Sequence, residues 1–142
     1  MTPQKYPEPT VGALIINQND ELFLMKSHKW HYKYVVPGGH IELGEKIQDA
    51  LRREVKEETN LDIYDIEFLC CQDFIYDPEF WKRRHFIFLD FTCKTDSEDV
   101  ILNEEASEYL WVSLEEALKL PVDTYTAYAI RLCMNKNRGQ PN

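Results

Sequence analysis

The stretch "REVKEE", residues 53–58, places Glu54, Glu57 and Glu58 close together in a chain that already carries a formal charge of −9. Carboxylates can hold a cation, move a proton or simply face water, and a charge run on a helix is ordinarily a solvated face. The direction of the side chains decides between these. On a helix advancing about 100° per residue, Ile47, Ala50, Leu51 and Val55 gather on one side, with Gln48, Asp49, Arg52, Lys56 and Thr59 opposite. Glu54 and Glu58 share the sector of Ile47 and Leu51, and Glu57 lies at its edge. Two like charges turned toward a protein body repel each other and lose hydration, at a cost on the order of several kcal/mol unless something positive joins them. Arg53 can pair with one of them but cannot neutralise three. A divalent cation can, and clustered carboxylates without His or Cys favour a hard, oxygen-seeking ion, Mg²⁺ or Mn²⁺, over zinc. Helical phase thus weighs toward a metal site over a solvated face.

Upstream, "PGGHIELGE" leads into the same helix, and the two stretches together spell G-x5-E-x7-R-E-V-x-E-E-x-N-L from Gly39 to Leu61. This strongly resembles the Nudix box of the Nudix (MutT-like) hydrolases, G-x5-E-x7-R-E-U-x-E-E-x-G-U, where U is a bulky aliphatic residue. Gly39, Glu45, Arg53, Glu54, Val55, Glu57, Glu58 and Leu61 match it. Asn60 stands where the family has Gly, a departure that bears on a turn, because Asn also accepts the left-handed conformation that ends a helix. "YVVPGG" before the box and "EASEYLWVSLEEALKL" after it are similar to the family too, so the resemblance covers roughly residues 10–120.

The resemblance implies an α/β protein of the α+β type, the Nudix α/β/α sandwich with a mixed β-sheet between helices, as one domain over residues 1–142 with its box at 39–61. It implies hydrolysis of a phosphoanhydride bond in a nucleoside diphosphate linked to a further group X, with a (d)NTP or a nucleotide sugar such as ADP-ribose as substrate and Mg²⁺ or Mn²⁺ as cofactor. Glu54, Glu57 and Glu58 become metal ligands, joined by the backbone carbonyl of Gly39. Glu45 and Arg53 become the pair that braces the loop against the helix and orients the ligands. Gly38 lets the backbone approach the site closely, and an ordinary turn after Pro37 would explain it equally well. Glu105, from the later loop, is the expected base, with Glu104 and Glu108 as alternatives. A non-catalytic nucleotide-binding regulatory module of the same family is the competing reading; modules that lose catalysis typically lose box glutamates, and all three are present here. Many relatives are dimers, so a homodimer is compatible with the resemblance.

The elements that must position these residues are legible from pattern. "TVGALIINQNDELFLMKS" reads as a hairpin turning at "NQND", and "YKYVVPGGH" as a short extended piece stopped by Pro37. "EKIQDALRREVKEETN" is a helix of strong formers closed by Asn60. "LDIYDIEFLCCQDFIY" and "RRHFIFLDFTCKT" are two longer strands, and "EYLWVS" is one more. "SLEEALKL" and "DTYTAYAIRLCMNK" read as helices with Ser113 and Asp123 as N-caps. Strands, a helix, strands and helices without regular alternation point to a mixed sheet with helices packed on it. Arg83, Arg84 and His85, at the start of a strand, could touch phosphate or base, although solvated charge is the usual role of such residues. Trp30, Tyr76, Phe80 and Trp81 could stack on a base, and His28 and His31 could reach a ligand; ordinary packing accounts for them as well.

Composition narrows the classes. A hydrophobic fraction of 44% is that of a globular protein, and the apolar runs are too short to span a bilayer. The N-terminus lacks the basic start and apolar core of a signal peptide, so a cytoplasmic protein is expected. Cys70, Cys71, Cys93 and Cys133 have no C-x-x-C spacing and read as reduced, mostly core residues. The net negative charge opposes binding to a nucleic acid polymer, which depends on Lys and Arg displacing counterions; a small nucleotide is the expected partner.

Overall fold

The computed structural model describes residues 3–137. The N-terminal apolar segment forms β1 (Glu8–Ile16), and after a turn at 17–21 the chain returns as β2 (Leu22–Ser27). Asn17 closes that turn, its side-chain oxygen accepting from the backbone N–H groups of Asn19 and Glu21, both at 2.9 Å. β3 (Lys33–Val35) and β4 (Gly38–His40) follow, then α1 (Ile47–Thr59), β5 (Ile63–Ile75), β6 (His85–Thr95), β7 (Glu108–Val112), α2 (Leu114–Ala117) and α3 (Thr124–Asn137). The extended piece expected to stop at Pro37 in fact continues past it. The Pro37 carbonyl accepts from the Ala13 N–H at 2.9 Å, and Gly38–His40 pairs antiparallel with β1, so the missing proline N–H interrupts the ladder without ending it. The second expected helix, "SLEEALKL", is a single turn, capped as expected by Ser113, whose hydroxyl accepts from the Glu116 N–H at 3.2 Å.

The sheet is mixed. β1 runs parallel to β6, and β6 pairs antiparallel with β5. On its other edge β1 meets β4 and β2 antiparallel, and β2 in turn carries β3 and β7. Alternation along β1 sends Val11, Ala13 and Ile15 to the face covered by α1, with Phe23, Leu51 and Val55, while Leu14 joins Leu24, Ala129 and Ile130 under α3. Among the described residues, no helix is long and apolar enough to cross a membrane.

Helix α1 departs from its expected phase at both ends. Ile47, assigned to the buried side, is 44% exposed at the first residue of the helix. Thr59, assigned to water, is fully buried: its hydroxyl donates to the Val55 carbonyl at 2.7 Å and accepts from the Leu61 N–H at 3.1 Å as the chain folds back into β5. Asn60 makes that reversal, at φ 67°, with its N–H on the Lys56 carbonyl and its amide donating to the Asp99 carbonyl at 3.0 Å. Asn60→Ala should therefore cost about 1–2 kcal/mol of unfolding free energy in a urea titration, since a Cβ with no compensating side-chain bond sits poorly in the left-handed region. Asn60→Gly should cost less.

The cysteines divide by position. Cys93 and Cys133 are buried and Cys70 is half-buried, but Cys71 is exposed on the outer side of β5, and all four are free thiols.

Candidate active site

Gly38 and Gly39 bring α1 and the sheet together. A Cβ on Gly38 would lie 2.0 Å from the Val11 carbonyl oxygen, so only glycine allows β4 its approach to β1. A Cβ on Gly39 would fall 2.5 Å from the carboxyl carbon of Glu54, so the space a side chain would occupy holds that carboxylate. Both glycines lie beside a cavity of about 270 Å³ whose wall also includes Glu54, Glu58 and Glu105.

Glu58 is 4% exposed, and its Oε1 accepts from the Gly38 N–H at 3.0 Å. Burial pushes its carboxyl well above the usual carboxylate range, against the opposing pull of that N–H, and the neighbouring Glu54 and Glu105 raise it further. Glu54 is raised by the same burial, opposed by Arg53. Arg53 organises the rest. Its Nε and Nη2 grip both oxygens of Glu45 at 2.8 and 2.9 Å, and Nη1 reaches Glu54 at 3.0 Å and both oxygens of Glu57 at 3.4 Å. Nη2 also donates to the His40 carbonyl at 3.0 Å. This fork spans loop, strand and helix in a way an ammonium could not.

The structure brings together some of the expected residues and leaves others apart. Among the described residues, no three His, Cys, Asp or Glu side chains converge as a closed metal cage. Glu54 and Glu58 meet, and Glu105 lies near enough to act on Glu58. Glu57 is turned to the rim with 54% of its side chain exposed. Glu105 lines the cavity, held by Lys29 at 2.8 Å, whereas Glu104 is exposed and Glu108 bonds the Tyr34 hydroxyl at 3.0 Å. Arg83, Arg84 and His85 are not on the cavity wall; the Arg83 guanidinium lies 3.7 Å from the centre of the Tyr76 ring, and His85 packs edge-on against the same ring. Trp30 and Phe80 line the cavity, but Tyr76 and Trp81 do not. His28 packs on Trp81, and His31 meets the Pro78 carbonyl at 3.0 Å.

Sequence pattern did not reveal Asp90 as a cavity residue, and it marked Asp123 only as a helix cap; both are buried on the cavity wall. A signal existed for Asp90, a charge at an inward position of the apolar run "FIFLDF".

The Arg53 fork gives the site an acid limit. The guanidinium holds the Glu45 carboxyl down at about 2, helped by the Glu42 N–H. A carboxyl whose folded pKa is depressed adds stability that is present above its unfolded value, about 4.3, and is lost as pH falls toward 2. Arg53→Lys should flatten the acid limb of the stability–pH curve and reduce hydrolysis roughly 10- to 100-fold, since the Glu54 carboxylate loses its brace. Thermal melts from pH 2 to 7 and initial rates check the two effects.

Helices on both faces of a mixed sheet, with an all-oxygen carboxylate pair on the wall of a cavity, define an α/β/α domain with an anionic centre. The NUDIX domain family matches residues 6–133. The nucleoside triphosphatase NudI of Salmonella arizonae is 32% identical over 106 residues, 70% of this chain and 75% of that protein. Nudix hydrolase 5 of Arabidopsis thaliana is 30% identical over 118 residues, 78% of this chain but 38% of the plant protein. The MutT protein of Methanosarcina mazei Go1 superposes with a TM-score of 0.79 at 26% identity, covering 96% of this chain and 99% of that one. The chain belongs to the Nudix family and is a Nudix hydrolase.

Proposed function

We propose that this protein is a Mg²⁺-dependent pyrophosphohydrolase that cleaves a nucleoside diphosphate linked to X, with nucleoside triphosphates as the first substrate class to test. One observation carries the reading: Glu58 is buried beside the half-buried Glu54 on a cavity wall, and among the described residues only Arg53 forms an ion pair with either of them. Such a pair is costly unless a cation joins it. The donors are all oxygen, which fits a hard divalent ion, Mg²⁺ or Mn²⁺. Glu54 and Glu58 would hold it, with the Gly39 carbonyl, and Glu57, loosely held at the rim, is available to turn toward them. A bound ion would neutralise phosphate oxygens and acidify water.

The chain's own residues supply the remainder. The Gly38 N–H fixes the orientation of the Glu58 carboxylate, and Arg53 fixes that of Glu54. Glu105 is the proposed base: it takes a proton from the attacking water as the new P–O bond forms and the bridging P–O bond breaks. Lys29 holds Glu105 in place at 2.8 Å. The similarity to NudI, a nucleoside triphosphatase, favours triphosphates over nucleotide sugars.

Incubation with Mg²⁺ and a panel of (d)NTPs, ADP-ribose, diadenosine polyphosphates and sugar nucleotides tests the reading. Metal-dependent product release from at least one is expected. Release from none, with Mg²⁺ or with Mn²⁺, would favour a binding module instead.

A further inference from the structure

The cavity wall is rich in acids and nearly bare of bases. Glu54, Glu58, Asp90, Glu105 and Asp123 line it, and among the described residues Lys29 is the only Lys or Arg that does. His40, also on the wall, meets Glu8 at 3.1 Å. Arg53 is off the wall, with its donors on Glu45, Glu54 and the His40 carbonyl. A polyphosphate entering this cavity meets like charge on several sides, and a metal ion held by Glu54 and Glu58 would relieve it at one place only. Lys29 is the permanent cation left on the wall to receive the rest of the chain of phosphates.

Several contacts fix where Lys29 stands. After β2 the chain makes a single 3-10 turn, His28–Trp30, and the hydroxyl of the buried Ser27 accepts from the Lys29 N–H at 3.2 Å. The Lys29 carbonyl accepts from the Trp81 N–H at 2.8 Å. Its ammonium lies 5.8 Å from the centre of the Trp81 ring and meets the two Glu105 oxygens at 2.9 and 2.8 Å. Glu105 is held from its own side too, its N–H donating to the Asn103 side-chain oxygen at 2.9 Å. The neighbouring Lys26 and Lys33 pair instead with Glu108 and Glu79, away from the cavity wall. With 30% and 29% of their side chains exposed, Lys29 and Glu105 form a pair that adds little to stability and stays open to a ligand. An ammonium has three donors, so one carboxylate does not exhaust it. We infer that Lys29 is a phosphate-binding residue of this enzyme, its ammonium bridging Glu105 and the non-bridging oxygens of the substrate's polyphosphate. Acting as a point charge, it docks the loop that carries the proposed base onto the phosphates.

This role rests on the nucleotide reading above, and equilibrium binding tests it apart from hydrolysis. The probe is an ATP analogue with CH₂ in place of both bridging oxygens of the triphosphate, titrated calorimetrically in Mg²⁺. Lys29→Met should weaken its binding roughly ten- to a hundredfold, the factor expected for a charge-assisted hydrogen bond, with the melting temperature close to that of the wild type. Lys29→Arg, which keeps the charge, should retain most of the affinity. Lys29→Gln is the second variant, for use if Lys29→Met fails to melt cooperatively. A Glu105→Gln background separates contact from support. There Lys29→Met should weaken binding by the same factor again if the ammonium touches phosphate, and by nothing further if it acts only through Glu105. Analogue binding that depends on Lys29, with hydrolysis of no nucleotide, overturns the hydrolase reading and leaves the phosphate contact. Hydrolysis of ATP together with equal analogue affinity in the wild type and a folded Lys29→Met, or an effect of Lys29→Met that vanishes in the Glu105→Gln background, overturns the phosphate contact alone.

Discussion

Glu58→Gln should lower kcat/KM by roughly 10³-fold, several kcal/mol of lost charge stabilisation at the reacting phosphates, while the metal-free protein melts at the same temperature or higher. The two outcomes share one cause. Glutamine keeps an oxygen for the Gly38 N–H and nearly the same volume, so the contact between helix and strand survives. It removes a carboxylate that is buried next to Glu54 and already resists ionisation. Without metal, that is relief of an unfavourable charge; with metal, it is the loss of a ligand. Loss of activity together with loss of the fold would mark Glu58 as a structural acid, and retained activity would remove it from the metal site. Isothermal titration with Mn²⁺ should show the variant's metal affinity falling in parallel with its rate.

The second large effect separates neighbouring glycines. Gly38→Ala places a methyl 2.0 Å from the Val11 carbonyl oxygen and 2.9 Å from the Gly12 Cα, both backbone atoms that cannot move without opening the β1–β4 ladder. A loss of stability on the order of 3 kcal/mol or more is expected, at or beyond the upper range for overpacked sites, seen as a lower urea midpoint or an insoluble product. Gly39→Ala meets side-chain atoms instead, the carboxylate of Glu54 at 2.5 Å. That carboxylate can swing away only by releasing Arg53. The fold should persist while hydrolysis falls about 100-fold, as for other losses of ligand orientation. If the two variants behaved alike, the division between a backbone constraint at 38 and a site constraint at 39 would be wrong.

Periodicity read the centre of α1 well and its ends poorly. Ala50, Leu51, Val55 and Glu58 are buried as their phase requires, because mid-helix residues lie over the sheet on every turn. Ile47 and Thr59 reversed their expected sides, since at a helix end burial depends on what lies underneath and where the chain goes next. Glu57 shows the limit at the edge of a sector: its phase put it beside Glu54 and Glu58, yet its side chain went to Arg53 at the rim. Arg83, Arg84 and His85 had the right chemistry for phosphate, and contact with Tyr76 keeps Arg83 and His85 off the cavity wall.

By itself the sequence determined most of the elements, the mixed sheet and the carboxylate helix, because these depend on local propensity and on spacing along one strand or helix; β4 beyond Pro37 and the shortness of α2 it did not determine. It also determined the family, through the spacing from Gly39 to Leu61. The tertiary structure decided which charges meet. Glu58 against Gly38, Glu105 against Lys29, and Asp90 with Asp123 on one cavity wall all join residues from different elements. Such meetings follow from how the sheet twists and where α1 and α3 pack on it, and no periodicity within one segment encodes them. The unpaired Asp123 oxygen is the clearest case: in sequence it is a helix cap, and packing alone buries its other oxygen without a partner.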